Sequence, residues 1–236
     1  MNENIQQEFR ELEPGEIFDQ RYRIVQELGR GGMGIVYKAM DQKESSFLSW
    51  ACAKLLKKQK YVAIKLIFGN HTSDEESLLR FKREVKRLSQ THHPYIVRFH
   101  DAHLESPPYY YTMEYVEGKT LESIIKTVRK NSFWVAETFE KIACALQHIH
   151  DKGIVHRDIK PGNIILLEQG QIPKLMDFGL AKSQETPSIT ATNEILGSPD
   201  YMSPEQIAHA QGQKLDQRSD IFSLGITLYE VLTGIR

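Results

Sequence analysis

The first regular alternation of apolar and polar positions is YRIVQELG, residues 22–29, which predicts a strand. The stretch YVAIKLIF, 61–68, is apolar apart from Lys65 and predicts a buried strand that carries one charge. Segments 96–100 and 109–115 predict a hairpin around Glu105, Ser106, Pro107 and Pro108. Between these strands Leu78, Phe81, Val85 and Leu88 recur at helical spacing, and Ser73 with Glu76 makes a capping box, so a helix is expected over 73–90. Beyond Gly118, read as a break between a strand lobe and a helical lobe, the period becomes helical throughout. Val135, Phe139, Ile142, Leu146 and Ile149 predict a helix over 133–150, with Cys144 in or near its core face. The run 221–235 is too short to span a bilayer, contains Glu230, and reads as a buried helix. Residues 1–20, broken by Pro14 and Gly15, read as a loosely ordered leader.

Composition narrows the function classes only slightly. A net charge of -1 over 236 residues provides no general attraction to nucleic acid or anionic membrane. Cys52 and Cys144 are far apart and lack metal-ligand spacing, which excludes a disulfide framework and suits a reducing compartment. The acidic N-terminus has no secretion signal, so a cytoplasmic chain is expected, or one on the cytoplasmic side of a membrane if a fuller chain carries an anchor. Residues 41–61 are longer than a turn needs and read as an insertion. There Phe47, Trp50, Ala51 and Leu55 could share a helix face, capped by Ser45 or Ser46. Lys54, Lys57, Lys58 and Lys60 read first as a solvated face and otherwise as a docking or membrane-surface patch.

Three stretches carry candidate chemistry. Gly29, Gly31 and Gly34 stand at G-x-G-x-x-G spacing between strand-like segments, a pattern that a plain hairpin turn also satisfies. Lys65, inside an apolar strand, needs a partner or a route to water; Glu84, at the edge of the apolar face over 73–90, is the expected partner. The stretch HRDIKPGN, 156–163, sets His156, Arg157, Asp158, Lys160 and Asn163 at fixed offsets, and DFG follows at 177–179. Read mechanically, an acid takes a hydroxyl proton, a lysine neutralises phosphate charge, and an amide with a later carboxylate holds a metal.

With VAIK at 62–65, these stretches resemble the protein kinase family, in its bacterial or eukaryotic-like serine/threonine branch, from about residue 20 to the end of the chain. The resemblance implies an α+β, two-lobed fold over 21–236. A small antiparallel sheet lobe with one key helix would cover 21–116, and an incomplete, mainly helical lobe 117–236. It also implies ATP and Mg2+ as cofactors, protein Ser/Thr hydroxyls as acceptors, and self-association for trans-autophosphorylation. Asp158 and Lys160 are the implied catalytic residues, with Asn163 and Asp177 on the metal. The implied ATP-binding residues are Leu28, Gly29, Arg30, Gly31, Gly32, Met33, Gly34, Val36, Ala63, Lys65, Glu84, Glu114 and Val116, with Met113 as gatekeeper. Leu88, Phe99, His156 and Phe178 could stack as a spine or serve as ordinary core, and Asp220 would brace the catalytic-loop backbone.

The segment GSPDYMSPEQ, 197–206, resembles the family's peptide-docking stretch, with Ser198 where threonine is usual and Ser203 replacing the alanine of A-P-E. Thr190 and Thr192 are candidate phosphorylation sites, with Arg157 placed to grip a loop phosphate; the same segment also reads as a plain polar loop. Family members continue for several helices past the position of Arg236, and those helices hold an arginine that pairs with the position of Glu205. Without them, Ile221, Leu224, Leu228 and Leu232 should lose apolar cover. The leading expectation is an ATP-dependent serine/threonine kinase. The alternatives are a truncated nucleotide-binding scaffold without turnover and, less favoured by GSPDYMSPEQ, a small-molecule kinase.

Overall fold

The computed structural model describes residues 11–32, 34–42, 61–68, 75–125, 132–167, 172–179, 199–207 and 215–235. The chain forms two compact units, Met1–Leu79 with Phe99–Tyr115, and Arg80–Arg98 with Val116–Arg236. Residues 80–98, placed with the strand lobe on sequence, thus group with the second unit. Residues 43–60 of the expected insertion, Met33, Ser73, Thr190, Thr192 and Ser198 lie outside the described residues, while Asp41 and Tyr61 belong to strands.

The first unit is an antiparallel sheet of six strands in the order β1-β2-β3-β4-β6-β5. They are β1 (Ile17–Phe18), β2 (Tyr22–Gly31), β3 (Gly34–Asp41), β4 (Tyr61–Ile67), β5 (Phe99–His103) and β6 (Tyr110–Glu114). Alternation along the strands turns Tyr22 and Ile24, then Ile35, Tyr37 and Ala39, then Val62, Ile64 and Leu66, into one core with Tyr110. Each large member withdraws apolar surface worth about 1.5–3 kcal/mol. Residues 11–20 are not the loose leader expected. Leu12 and Phe18 pack on this core, and Gly15 N and Ile24 N donate to Ile24 O and Glu16 O at 2.8 Å each. The predicted hairpin strand at 96–100 begins later, at Phe99, because the backbone before it pairs elsewhere: Leu175 N donates to Tyr95 O at 2.8 Å and Val97 N to Leu175 O at 2.9 Å.

The second unit is mainly helical. Helix α1 (Glu75–Ser89), which belongs to this unit from Arg80 on, buries Phe81, Val85 and Leu88. A sheet of three strands follows the order β7-β8-β9, with β7 (Gly118–Thr120), β8 (Ile164–Leu167) and β9 (Pro173–Leu175). Gly118, expected near the boundary, opens β7 two residues past the start of the second unit at Val116, and a Cβ there would stand 2.1 Å from Leu166 O. After α2 (Leu121–Ile125) comes α3 (Ser132–His150), which buries Val135, Phe139, Ile142, Leu146 and Ile149. Cys144 is exposed, contrary to expectation, since it stands roughly 200° round the helix from Ile142.

After the short α4 (Pro204–Ile207), α5 (Gln217–Thr233) starts where Asp216 accepts from Arg218 N and ends at Gly234, whose φ of 73° is left-handed. It is buried on one face only, and that face is largely polar: Ser219, Asp220, Ser223, Thr227 and Val231. The hydroxyls bond backbone, Ser223 to Tyr201 O at 2.7 Å and Thr227 to Ser223 O at 2.8 Å. Ile221, Phe222, Tyr229 and Leu232 stay exposed, Ile221 at 55%, so the buried helix read from the apolar run is half-buried, with the apolar exposure expected at Ile221 and Leu232 present. Among the described residues no helix is long and apolar enough to cross a membrane.

Candidate active site

The loop over 156–163 leaves α3 through a turn and enters a 3-10 turn at Pro161–Asn163 just before β8. Its backbone is shaped by side chains from distant positions. Asp220, 1% exposed, accepts from His156 N and Arg157 N at 2.8 Å each. The same carboxylate is 2.7 Å from His150 Nε2. Arg157 has a φ of 65°, a left-handed conformation costing about 1–3 kcal/mol in a residue with a side chain. The two bonds to Asp220, made by a charged acceptor in a dry site, are strong enough to hold it there.

His156 is fully buried, stacks on Phe178 at 4.6 Å between centroids, and uses both ring nitrogens. Nε2 lies 3.1 Å from Met176 O and so carries the proton, while Nδ1 accepts from Asp158 N at 3.3 Å. Burial pushes its pKa below the ordinary histidine value, against the pull of Asp220. The ring is therefore a neutral spacer between the loop and the strand that precedes DFG. Gly179 N donates to His156 O at 2.9 Å and Met176 N to Asn163 O at 2.9 Å, which ties residues 176–179 to the same loop. Asp177 has a φ of 56°.

Three of the sequence-predicted residues converge here. Asn163 Nδ2 donates to Asp158 O at 2.7 Å and to Asp158 Oδ2 at 2.8 Å, and Lys160 Nζ is 3.1 Å from the same Oδ2. With both amide hydrogens of Asn163 committed, its carbonyl oxygen is the atom left that could face a hard cation; Asp177, the other residue expected to hold one, stands two residues past β9. Oxygen donors of this kind suit Mg2+.

Glu84 has a partner that sequence reading did not assign: Arg157 Nη1 donates to Glu84 Oε1 at 3.2 Å. Burial raises the pKa of Glu84, and the charge of Arg157 opposes that rise. Lys65 belongs to the first unit and Glu84 to the second.

The remaining predicted nucleotide residues lie in the first unit, except Val116, which opens the second. Leu28, Gly29, Arg30 and Gly31 end β2, Gly32 turns, and Gly34 and Val36 begin β3. Gly29 pairs with Val36, and Val36 with Lys65 on β4. Ala63 lies between Lys38 and Met113 in register, and Glu114 ends β6. The glycines differ. A Cβ on Gly34 would stand 1.8 Å from Leu66 O, so this one serves the sheet itself, whereas on Gly29 or Gly31 it would meet nothing within 4 Å. The absent side chains at 29 and 31 leave clearance that no internal packing requires, as a loop admitting a bulky anion needs.

The described residues 199–207, part of the stretch expected to dock peptide, are tied to α5. Ser219 Oγ donates to Glu205 Oε1 at 2.7 Å, a bond that draws the pKa of Glu205 below the ordinary carboxylate value. Tyr201 Oη donates to Glu230 Oε2 at 2.5 Å. Sequence reading did not assign the contacts of Ser219 with Glu205, of Glu230 with Tyr201, of His150 with Asp220, or of Gln206 Nε2 with Arg157 O at 3.0 Å. Gln206 stood within a quoted motif, but nothing in the spacing pointed to its contacts.

One unit is a small antiparallel sheet with a glycine-rich hairpin; the other is mainly helical and bears the Asp-Lys-Asn cluster. The chain belongs to the protein kinase domain family, whose pattern matches residues 22–236. It is 40% identical over 222 residues to a probable serine/threonine-protein kinase of Clostridium perfringens, covering 94% of this chain and 30% of that protein. It is 40% identical over 215 residues to the serine/threonine-protein kinase PrkC of Bacillus subtilis, covering 91% of this chain and again 30% of the relative. The chain thus spans about a third of the length of these curated relatives. A crystal structure of the PknI kinase domain of Mycobacterium tuberculosis superposes with a TM-score of 0.71 at 27% identity, covering 95% of this chain and 77% of that one.

Proposed function

We propose that this chain is the catalytic part of a serine/threonine protein kinase, moving the γ-phosphoryl group of ATP to Ser or Thr hydroxyls of proteins. The single observation that carries the reading is the bonded cluster of Asp158, Lys160 and Asn163, buttressed from beneath by Asp220. Magnesium-bound ATP would supply the transferable group and screen its charge, with Asn163 and Asp177 holding the metal and Lys65 the phosphates. The chain's own contribution is positional. Asp158 Oδ orients the acceptor hydroxyl and takes its proton; Lys160, 25% exposed beside it, stands ready for developing negative charge. Leu28, Val36, Ala63, Glu114 and Val116 are proposed to frame the base. Autophosphorylation at Thr190 or Thr192 in a self-associated pair, a signalling role, and a place at the cytoplasmic side of a membrane belong to the same proposal.

Incubation with Mg2+ and γ-labelled ATP and a generic protein substrate tests it. Transfer to serine and threonine is expected, and Asp158→Ala should abolish it while nucleotide binding survives. Unchanged turnover in that variant refutes the assignment.

A further inference from the structure

The S-x-x-Q stretch over 203–206 forms a reciprocal cap on α4. Gln206 N donates to Ser203 Oγ at 3.3 Å, and Ser203 N donates to Gln206 Oε1 at 2.9 Å. With its amide oxygen used in this way, the side chain of Gln206 turns its NH2 outward, and Nε2 donates to Arg157 O at 3.0 Å. That carbonyl belongs to the peptide group whose other end is Asp158 N, itself bonded to His156 Nδ1 at 3.3 Å. The residue that carries the carbonyl is the one held at a φ of 65°, with its own N–H on Asp220 at 2.8 Å.

We propose that Gln206 is a positioning residue for phosphoryl transfer, its side-chain amide clamping the Arg157–Asp158 peptide from the peptide-docking side. Asp220 fixes the entry to the strained residue and Gln206 its exit. A rotation of that peptide would swing the Cα of Asp158 and with it the carboxylate, and a misplacement on the order of 1 Å is enough to cost a large factor in rate. A second consequence is coupling. The segment that would carry the acceptor peptide shares one side chain with the loop that carries the acid, so a displaced docking segment loosens the acid as well.

The inference rests on the kinase reading above, and the variant chosen separates the two. Gln206→Glu preserves the acceptor for Ser203 N and the size of the side chain but removes the donor and sets a negative charge against Arg157 O. The expected result is a fall in kcat of about tenfold or more, with KM for ATP and the thermal midpoint unchanged. Hydrogen exchange at the amides of residues 157–159 should accelerate in the variant while exchange in β8 does not. A kcat within twofold of wild type overturns the proposal, as does a loss of activity matched by general unfolding. Should the wild-type chain transfer no phosphate, the functional reading falls, and exchange at 157–159 alone decides whether Gln206 holds the loop.

Discussion

The β2–β3 hairpin and the loop over 156–163 are both proposed to serve phosphate, yet they are built differently. The hairpin is held by its strand ladder, from Gly29 opposite Val36 to Gly31 opposite Gly34, and its glycines at 29 and 31 face open space. The loop takes bonds from two side chains remote in sequence, Asp220 on His156 N and Arg157 N and Gln206 on Arg157 O, and from its own Asn163 on Asp158 O. A segment that must admit and release a ligand needs clearance and a restoring framework. One that must place a carboxylate against a reacting oxygen needs its peptide groups fixed one by one.

The largest effect should come from the base of the loop. Asp220→Ala removes the acceptor of two backbone donors and the partner of His150 at once, leaving them buried and unsatisfied. A loss of about 3–5 kcal/mol in urea denaturation is expected, with kcat down more than a hundredfold in whatever remains folded. A midpoint close to wild type would show that the loop is held by something other than these bonds.

The hairpin makes a paired prediction of intermediate size. Gly34→Ala should cost about 2–4 kcal/mol, because a Cβ at 1.8 Å from Leu66 O forces strand β3 off β4 and the φ of 152° resists any side chain. Gly31→Ala should leave the thermal midpoint nearly unchanged and instead raise KM for ATP several-fold, its cost falling on the ligand. If both variants unfold alike, the distinction between a sheet glycine and a ligand glycine is lost.

Much of this contrast was legible beforehand, and what was missed has a physical reason. Strand alternation placed β2, an apolar run β4 and a turn-flanked hairpin pattern β6, helical spacing placed α1 and α3, and the offsets in HRDIKPGN named Asp158, Lys160 and Asn163. Those signals are local, because a period or a spacing is written in neighbouring residues. The partner of Glu84 is 73 positions away, and Gln206 meets Arg157 O across 49. Neither pairing leaves a trace in periodicity. Helix α5 misled for a different reason: apolar letters suggested burial, but the face turned inward is the one whose Ser and Thr hydroxyls can satisfy their own turn and Tyr201 O.

A smaller effect concerns protons. The pKa of His156 is lowered in the folded chain, so between that value and the ordinary 6.5 the unfolded state binds the proton that the folded state refuses. Stability should therefore rise with pH up to about 6.5 and fall as the medium is acidified below it. The geometry agrees, since protonating Nδ1 would break the bond from Asp158 N. Thermal midpoints between pH 5 and 7 should show this slope, and His156→Gln should flatten it while lowering the plateau. An unchanged slope would move the acid sensitivity to another group.

The smallest effect is expected at the tip of the hairpin. Arg30 Nη1 reaches Glu11 Oε1 at 2.6 Å and Nη2 reaches Glu27 Oε2 at 3.0 Å, short contacts that look like a tether between the leader and the glycine-rich turn. The side chains are 43%, 65% and 39% exposed, however, so water and salt screen both pairs and the long side chains lose rotamer freedom in making them. Arg30→Ala should leave the thermal midpoint where it is at physiological salt. If the midpoint drops, and drops more at low salt than at high, then the hairpin too is clamped by side chains, and the opposition between a yielding ligand loop and a fixed catalytic loop would have to be given up.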